Sequence, residues 1–157
     1  MTNVNIGLDE NARKSVAGAL NATLADTYAL YMKTHAYHWN VTGPDFNSLH
    51  LMFEGQYNEM WLALDTIAER VRALGVFTPS GGKAFADLSA IEDAAPAPTP
   101  AMEMVAALLA DHETLIKRAR NGLKIAEEAG DAASADLLTV RIQTHEKTAW
   151  MLRSILG

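Results

Sequence analysis

The chain has 157 residues, enough for a single core, and we expect one domain over residues 1–157. Hydrophobic residues make up 49% and charged residues 20%, a globular composition that excludes a disordered chain. The net charge of −6 disfavours a general nucleic-acid binder and suits the attraction of cations. Because the sequence has no cysteine, thiol chemistry and iron–sulfur clusters are excluded. A reducing cytoplasm is the expected compartment, and a metal has to be held by histidines and carboxylates.

Neither a signal peptide nor a membrane span is expected from the sequence. The start of the chain has no basic segment followed by an apolar run. Farther along, no stretch approaches the roughly 18 apolar residues that a spanning helix needs.

Apolar residues recur every three or four positions along most of the chain, which predicts long amphipathic helices. The first helix is predicted from near Asp9 to about Asn40, and the second follows the break at 42–45 and stops at Gly75. The segment 76–100 loses the pattern and holds four of the five prolines, with one short helix predicted near Phe85–Ile91. Two more long helices follow, with a short break between them at residues 129–131.

The lengths of the links predict an all-α, ferritin-like four-helix bundle. The first and last links are short, so helices one and two form one antiparallel hairpin and helices three and four another. The middle link of about 25 residues is long enough to return along a bundle roughly 40 Å long. One long crossover between two hairpins is the ferritin-like connection.

The histidines disfavour a di-iron site inside one bundle, because such a site uses two Glu-x-x-His pairs. No glutamate stands three residues before any of the five histidines, His35, His38, His50, His112 and His145. The last two fall on apolar stripes and are expected in the core.

Four polar residues share one stripe of the second helix: His50, Glu54, Asp65 and Glu69. His50 and Asp65 are roughly 22 Å apart along the helix axis, so one copy cannot bring them to the same ion. Two copies can do so if their second helices cross antiparallel around a two-fold axis near Glu59–Met60. His50 and Glu54 of each copy would then face Asp65 and Glu69 of the other, which makes two equivalent sites.

His38 and His50 are expected at similar depth, on either side of the turn that contains Gly43. Two imidazoles with two or three carboxylates suit Fe(II), and zinc would bind as well. A metal site between subunits is therefore one interpretation. The other is an exposed polar edge with structural ion pairs.

The stretch Lys33–Gly75 resembles the Dps proteins, the "DNA-binding protein from starved cells" group of mini-ferritins. The resemblance is carried by His-Trp-Asn at 38–40, Gly-x-x-Phe-x-x-x-His at 43–50 and Asp-x-x-Ala-Glu-Arg at 65–70. A weaker similarity continues to the end of the chain. The resemblance implies a hollow homo-dodecamer with iron-oxidising centres between two-fold-related subunits.

Carried over by position, the resemblance assigns His38, His50 and Glu54 to one subunit and Asp65 and Glu69 to its partner. The family often has Asp where this chain has Glu54. The implied site holds at most two iron ions, and zinc could compete for it.

The implied reaction is oxidation of Fe(II) to Fe(III), with hydrogen peroxide preferred over O2, and storage of ferric mineral in the cage. Trp39 resembles the family's tryptophan near the centre, an electron donor; a role in core packing is also expected and is compatible with this one. Similarly, His35 could be a second-shell or alternative ligand. Asp131 and Asp136 match the region of the family's iron pores, although a helix N-terminus also favours aspartate.

Direct DNA binding is not expected, because the segment Met1–Ser15 balances Arg13 and Lys14 against two acidic residues and no basic tail follows the last helix. Two hypotheses remain. One is a ferroxidase and iron store that protects against oxidative stress. The other is a non-catalytic cage that compacts DNA or holds structural zinc.

Overall fold

The computed structural model describes residues 4–157, and this part of the chain is all-α, without strands. Its five helices are α1 Glu10–Asn40, α2 Phe46–Ala73, α3 Gly82–Leu88, α4 Ala101–Glu128 and α5 Ala132–Leu156. The four long helices form the predicted bundle, and α3 lies in the long crossover between α2 and α4. The prediction about a signal peptide involves Met1–Asn3, which lie outside the described residues.

The helices begin and end at residues that suit these positions. Asp9 caps α1, because its carboxylate accepts a hydrogen bond of 2.8 Å from the backbone N–H of Ala12. After α2 the chain turns at Gly75, whose φ of +81° favours glycine. A Cβ atom at Gly75 would also lie 2.7 Å from Cγ2 of Val4, so this turn requires glycine for two reasons.

The bundle is held together by α1 packed on α2 and α4, and by α4 packed on α5. In contrast, α2 and α5 pack only sparsely, which leaves a groove between them. The largest fully buried side chains come from all four long helices and include Leu20, Leu30, Phe53, Met60, Ile67, Leu108, Leu115 and Leu138. This shared core fixes the helices that carry the polar residues.

The crossover is fastened near its middle by the buried carboxylate of Asp26 in α1. Its Oδ1 accepts hydrogen bonds from the Ser89 hydroxyl (3.0 Å), the Ala90 backbone N–H (2.7 Å) and Nη1 of Arg118 in α4 (2.9 Å). The short helix was predicted to end near Ile91, but α3 ends at Leu88, and these contacts explain the difference. The chain leaves the helix there to reach Asp26.

Within the described residues, every helix is too short or too polar to cross a membrane.

Candidate metal centre

His38 and His50 lie face to face at the turn between α1 and α2. His38 is in the last turn of α1 and His50 is near the start of α2. Their rings stack with centroids 3.8 Å apart and planes 17° apart. Each ring's Nδ1 lies 2.8 Å from the backbone carbonyl oxygen of the other residue.

These two hydrogen bonds fix the tautomer of both rings. A carbonyl oxygen only accepts, so Nδ1 of His38 and of His50 must carry the hydrogen and donate it. In the neutral rings, Nε2 then keeps its lone pair, which is the form that binds a metal. The backbone thus prepares both rings as ligands and holds them side by side.

The three carboxylates of the predicted site are exposed, and they lie on the same helix as His50. Glu54 is one turn beyond His50, whereas Asp65 and Glu69 are several turns farther along α2. In the described part of the chain, no three His, Asp or Glu side chains come close enough to hold a metal together. A single copy therefore offers two separated groups of donors, with His38 in the first group.

Aromatic rings fill the helix surface between the two groups of donors. Tyr57 meets the His38 ring edge to face at 5.2 Å and stacks on His35 at 3.9 Å. Tyr31 continues this surface to Trp61, with ring centroids 5.6 Å apart. His35 Nδ1 also lies 3.3 Å from the Tyr31 hydroxyl, and partial burial together with His38 lowers the pKa of His35.

Trp39 is directly after His38 in the sequence, but its ring contacts His35, at 4.2 Å between centroids. Its side chain is 62% exposed in the single chain. The expected role of Trp39 in core packing is therefore wrong for one copy. Its assignment as an electron donor stays a prediction.

The second group of donors is next to an exposed apolar surface. Trp61 and Leu62 are 58% and 70% exposed, and a cleft of about 530 Å³ beside them is lined by Tyr28, Asp65 and Phe85. Large exposed apolar side chains of this kind mark interaction surfaces.

A different polar cluster lies inside the bundle around His112 and His145, which are each 1% exposed, as predicted for core residues. Their Nδ1 atoms are 2.9 Å apart, and Nη2 of Arg141 is 3.1 Å from Nε2 of His145. Arg141 also binds the carboxylate of Glu59, with 2.9 Å between Nη2 and Oε2. Burial and the charge of Arg141 lower the pKa of His112 to about 3.

Burial, His112 and Arg141 also hold the pKa of His145 well below its usual value. The guanidinium of Arg141 occupies the bundle interior and bonds both Glu59 and His145, so these two side chains are not available to a cation there. Arg141 escaped prediction because its contact with Glu59 joins residues 82 positions apart.

Asp131 lies at the N-terminus of α5 and has a structural role there. This position was the sequence-based alternative to a pore residue. It caps α5 by accepting from the Ser134 backbone N–H at 3.1 Å, and it binds Nη2 of Arg70 at 2.7 Å. Burial raises the pKa of Asp131, but the bonds from Arg70 and Ser134 outweigh this effect and leave the pKa below its usual value. Asp136, in contrast, is exposed.

Comparisons with known proteins agree with this fold. A family model for the ferritin-like domain matches residues 17–157. The chain is 41% identical over 157 residues to an uncharacterized low temperature-induced protein of Nostoc sp., covering 99% of this chain and 88% of that protein. It is 38% identical over 144 residues to DNA protection during starvation protein 2 of Bacillus anthracis, covering 92% of this chain and 98% of that protein.

Among solved structures, the Dps protein of Vibrio cholerae O1 superimposes with a TM-score of 0.94 at 30% identity, covering 100% of this chain and 98% of that chain. That protein is described as a member of a broad superfamily of ferritin-like diiron-carboxylate proteins. Sequence, fold and coverage agree, and the chain belongs to the Dps family of ferritin-like proteins.

Proposed function

We propose that the protein is a ferroxidase and iron store, which oxidises Fe(II) between two-fold-related copies and keeps the ferric product in a twelve-subunit cage. The observation that carries the proposal is the pair His38 and His50, whose Nε2 atoms are both free to bind a metal. Family membership supports it, because the Vibrio cholerae relative is described as a ferritin-like diiron-carboxylate protein.

In this proposal the ligands are Nε2 of His38 and His50 with the Glu54 carboxylate from one copy, and Asp65 and Glu69 from the other. Imidazole and carboxylate together suit iron, and anionic ligands stabilise the higher oxidation state. With hydrogen peroxide as the preferred oxidant, two Fe(II) ions give up one electron each. The O–O bond breaks, and two protons complete two water molecules, so no hydroxyl radical is released.

The surface of α2 supports a contact between two copies. Trp61 and Leu62 expose large apolar side chains close to Asp65, and burying them against a second α2 would be favourable. An antiparallel crossing would bring Asp65 and Glu69 of each copy to the histidines of the other. Trp39, exposed beside His35, would then lie at the edge of each site, where it could donate an electron.

Mixing two inactive variants tests the proposal. Homogeneous His50→Ala and Asp65→Ala proteins should both oxidise Fe(II) slowly with peroxide, because every site lacks a ligand. In a protein co-assembled from equal amounts of the two, a site is complete when its histidines come from the Asp65→Ala chain and its carboxylates from the His50→Ala chain. Random assembly gives about a quarter of sites complete, so about a quarter of the parental rate should return.

The matched control co-assembles His50→Ala with the double variant His50→Ala/Asp65→Ala, in which no site can be complete. No recovery is expected there. Absence of recovery in the first mixture, once mass spectrometry has verified mixed assemblies, would contradict a site shared between copies. Parental rates in either single variant would contradict the ligand assignment, and repeating the assay with added zinc measures competition for the same ligands.

A further inference from the structure

The side of α2 that faces α5 is loosely packed, and an ion pair crosses the space between the two helices. Two cavities of about 390 Å³ and 400 Å³ lie there, and Glu59 of α2 lines both of them. Both carboxylate oxygens of Glu59 accept hydrogen bonds from the guanidinium of Arg141 in α5, with 2.9 Å between Oε2 and Nη2. We call this ion pair the α2–α5 bridge.

The Arg141 end of the bridge is fixed from behind. Its side chain is 7% exposed, and Nη2 also lies 3.1 Å from Nε2 of His145. The other ring nitrogen of His145 is in turn 2.9 Å from Nδ1 of His112 in α4. A planar guanidinium that is bonded on two sides has one preferred orientation. The bridge therefore joins α2, through α5, to the buried part of α4.

Glu59 lies between two other contacts that hold α2 in place. Near the start of the helix, His50 bonds to the backbone carbonyl of His38 in α1 at 2.8 Å. Near its end, Arg70 donates to the carboxylate of Asp131 at 2.7 Å. These two contacts are roughly 30 Å apart along the helix axis. Without the bridge, the middle of α2 would meet α5 through sparse apolar contacts, which have no preferred direction.

The carboxylates of the proposed metal centre lie in the two spans on either side of Glu59. Glu54 stands five residues before it and Asp65 six residues after it. At about 100° per residue, Glu59 points roughly 130° away from the middle of the stripe that carries the proposed ligands. Glu59 therefore cannot reach the same metal, and it can affect the centre only through the position of α2.

Helix geometry shows that a small movement of α2 is enough to matter. Side chains end about 5–6 Å from a helix axis, so a roll of about 10° moves a carboxylate by about 1 Å. Functional groups have to be held within about 0.5 Å of the productive geometry, and a misplacement of about 1 Å can reduce a rate about a hundredfold. In a site shared between two copies, each copy of α2 adds its own displacement.

We propose that Glu59 and Arg141 are positioning residues of the metal centre. The α2–α5 bridge sets the roll of α2 and thereby directs Glu54 and Asp65 towards the ions. The inference rests on the proposed function, because it takes a site between two copies as given. It adds that this site depends on a buried contact on the opposite side of the helix.

Substitutions of Glu59 test the inference, with peroxide-driven iron oxidation and the visible absorption of bound Co(II) as the two readouts. The Co(II) spectrum reports the arrangement of the ligands without any turnover. Glu59→Leu removes the bridge and leaves Arg141 and His145 in the chain, so kcat should fall at least tenfold and the Co(II) spectrum should change. Glu59→Gln keeps an acceptor oxygen for Arg141, and it should retain the parental spectrum and a kcat within about threefold of the parent.

Glu146→Leu is the matched control. It breaks the ion pair between Glu146 of α5 and Arg120 of α4, and it leaves α2 unchanged. This variant should oxidise iron at the parental rate and bind Co(II) with the parental spectrum. A tenfold loss in the control would show that any broken Arg–Glu pair has this effect, and would contradict a special role for the bridge.

A second variant is needed because Glu59→Leu leaves the buried guanidinium of Arg141 without its carboxylate, which can prevent folding. Glu59→Leu/Arg141→Met replaces both partners by apolar side chains, an exchange that is often neutral for stability. Circular dichroism and native mass spectrometry verify its fold and assembly. The double variant should assemble like the parent and still oxidise iron at least tenfold more slowly.

A parental kcat and Co(II) spectrum in either assembled leucine variant would overturn the inference. A loss of assembly in both variants would overturn it as well, because the pair would then be needed for folding and not for positioning. An equal loss of kcat in Glu59→Gln would assign the effect to the charge of Glu59. A failure of the proposed function is distinguishable, since the parent would then not oxidise iron, or His50→Ala would keep the parental Co(II) spectrum.

Discussion

His38 and His50 fix each other's position, since each ring donates from Nδ1 to the backbone carbonyl of the other residue at 2.8 Å. The pair joins the end of α1 to the start of α2 across the turn that contains Gly43. Because the bonds use Nδ1 and the backbone, they orient both Nε2 atoms without help from a third side chain. The two residues therefore stabilise the hairpin as well as presenting ligands.

Replacing His50 by alanine should reduce stability in addition to iron oxidation. The variant loses one interhelical hydrogen bond and the stacking on His38, so we expect a cost of about 1–2 kcal/mol and a midpoint of thermal unfolding lower by a few degrees. Glu54→Ala is the control, because Glu54 is an exposed side chain on the same face. It should slow iron oxidation without changing the midpoint in iron-free protein. Equal midpoints for His50→Ala and the parent would contradict the structural role.

Acid should destabilise the protein through His112 and His145. Their folded-state pKa values, about 3 for His112 and well below normal for His145, lie under the unfolded value of 6.5. The unfolded chain therefore binds more protons below pH 6.5. The free energy of unfolding should fall as pH decreases from 6.5 towards 3, by up to about 1.4 kcal/mol per pH unit for each histidine.

Urea unfolding at fixed protein concentration and several pH values measures this slope. The double variant His112→Leu/His145→Leu should have a shallower slope than the parent. His35→Gln should reduce the slope by less, because His35 is a single histidine whose pKa is lowered by partial burial and by His38. A slope in the double variant as steep as in the parent would show that other groups cause the acid sensitivity.

Asp131 and Asp136 should differ in their effect on stability. Asp131→Ala removes the cap of α5 and leaves the guanidinium of Arg70 without its carboxylate, so we expect a loss of about 2 kcal/mol or more. Asp136 is exposed, and Asp136→Ala should stay within about 0.5 kcal/mol of the parent. Chemical denaturation of the two variants side by side makes the comparison, and equal losses would contradict the cap assignment.

The protein should not shift DNA in a gel at physiological salt. Nine of the 13 basic residues already pair with carboxylates: Lys14, Lys33, Arg70, Lys83, Arg118, Arg120, Lys124, Arg141 and Arg153. Phosphate binding requires several free cations together, and the net charge of −6 per chain opposes it. A mobility-shift assay with duplex DNA tests this, and a clear shift near neutral pH would contradict it.

The helices could be predicted from the sequence because periodicity reports directly which face of each helix is buried. The proximity of His38 and His50 followed in the same way, from their similar distances to the turn. Their Nδ1–carbonyl bonds could not be predicted, because they depend on ring rotation and on the exact spacing of two helices. The ion pair between Arg141 and Glu59 could not be predicted either, because it joins distant parts of the chain. The early end of α3 depends on its contacts with Asp26, and the sequence around α3 gives no signal for these contacts.

Asp26 has a consequence for how the chain could be re-engineered. Its bonds to Ser89 and Ala90 divide the crossover into two short spans. The entropic cost of closing each span then depends only on the length of that span. Extra residues placed at 93–99 would lengthen only the second span, which has no regular structure. An inserted peptide would form an independent loop there, while the first span would keep its length and its bonds to Asp26. The crossover could thus display a foreign segment without altering the bundle that carries the metal ligands.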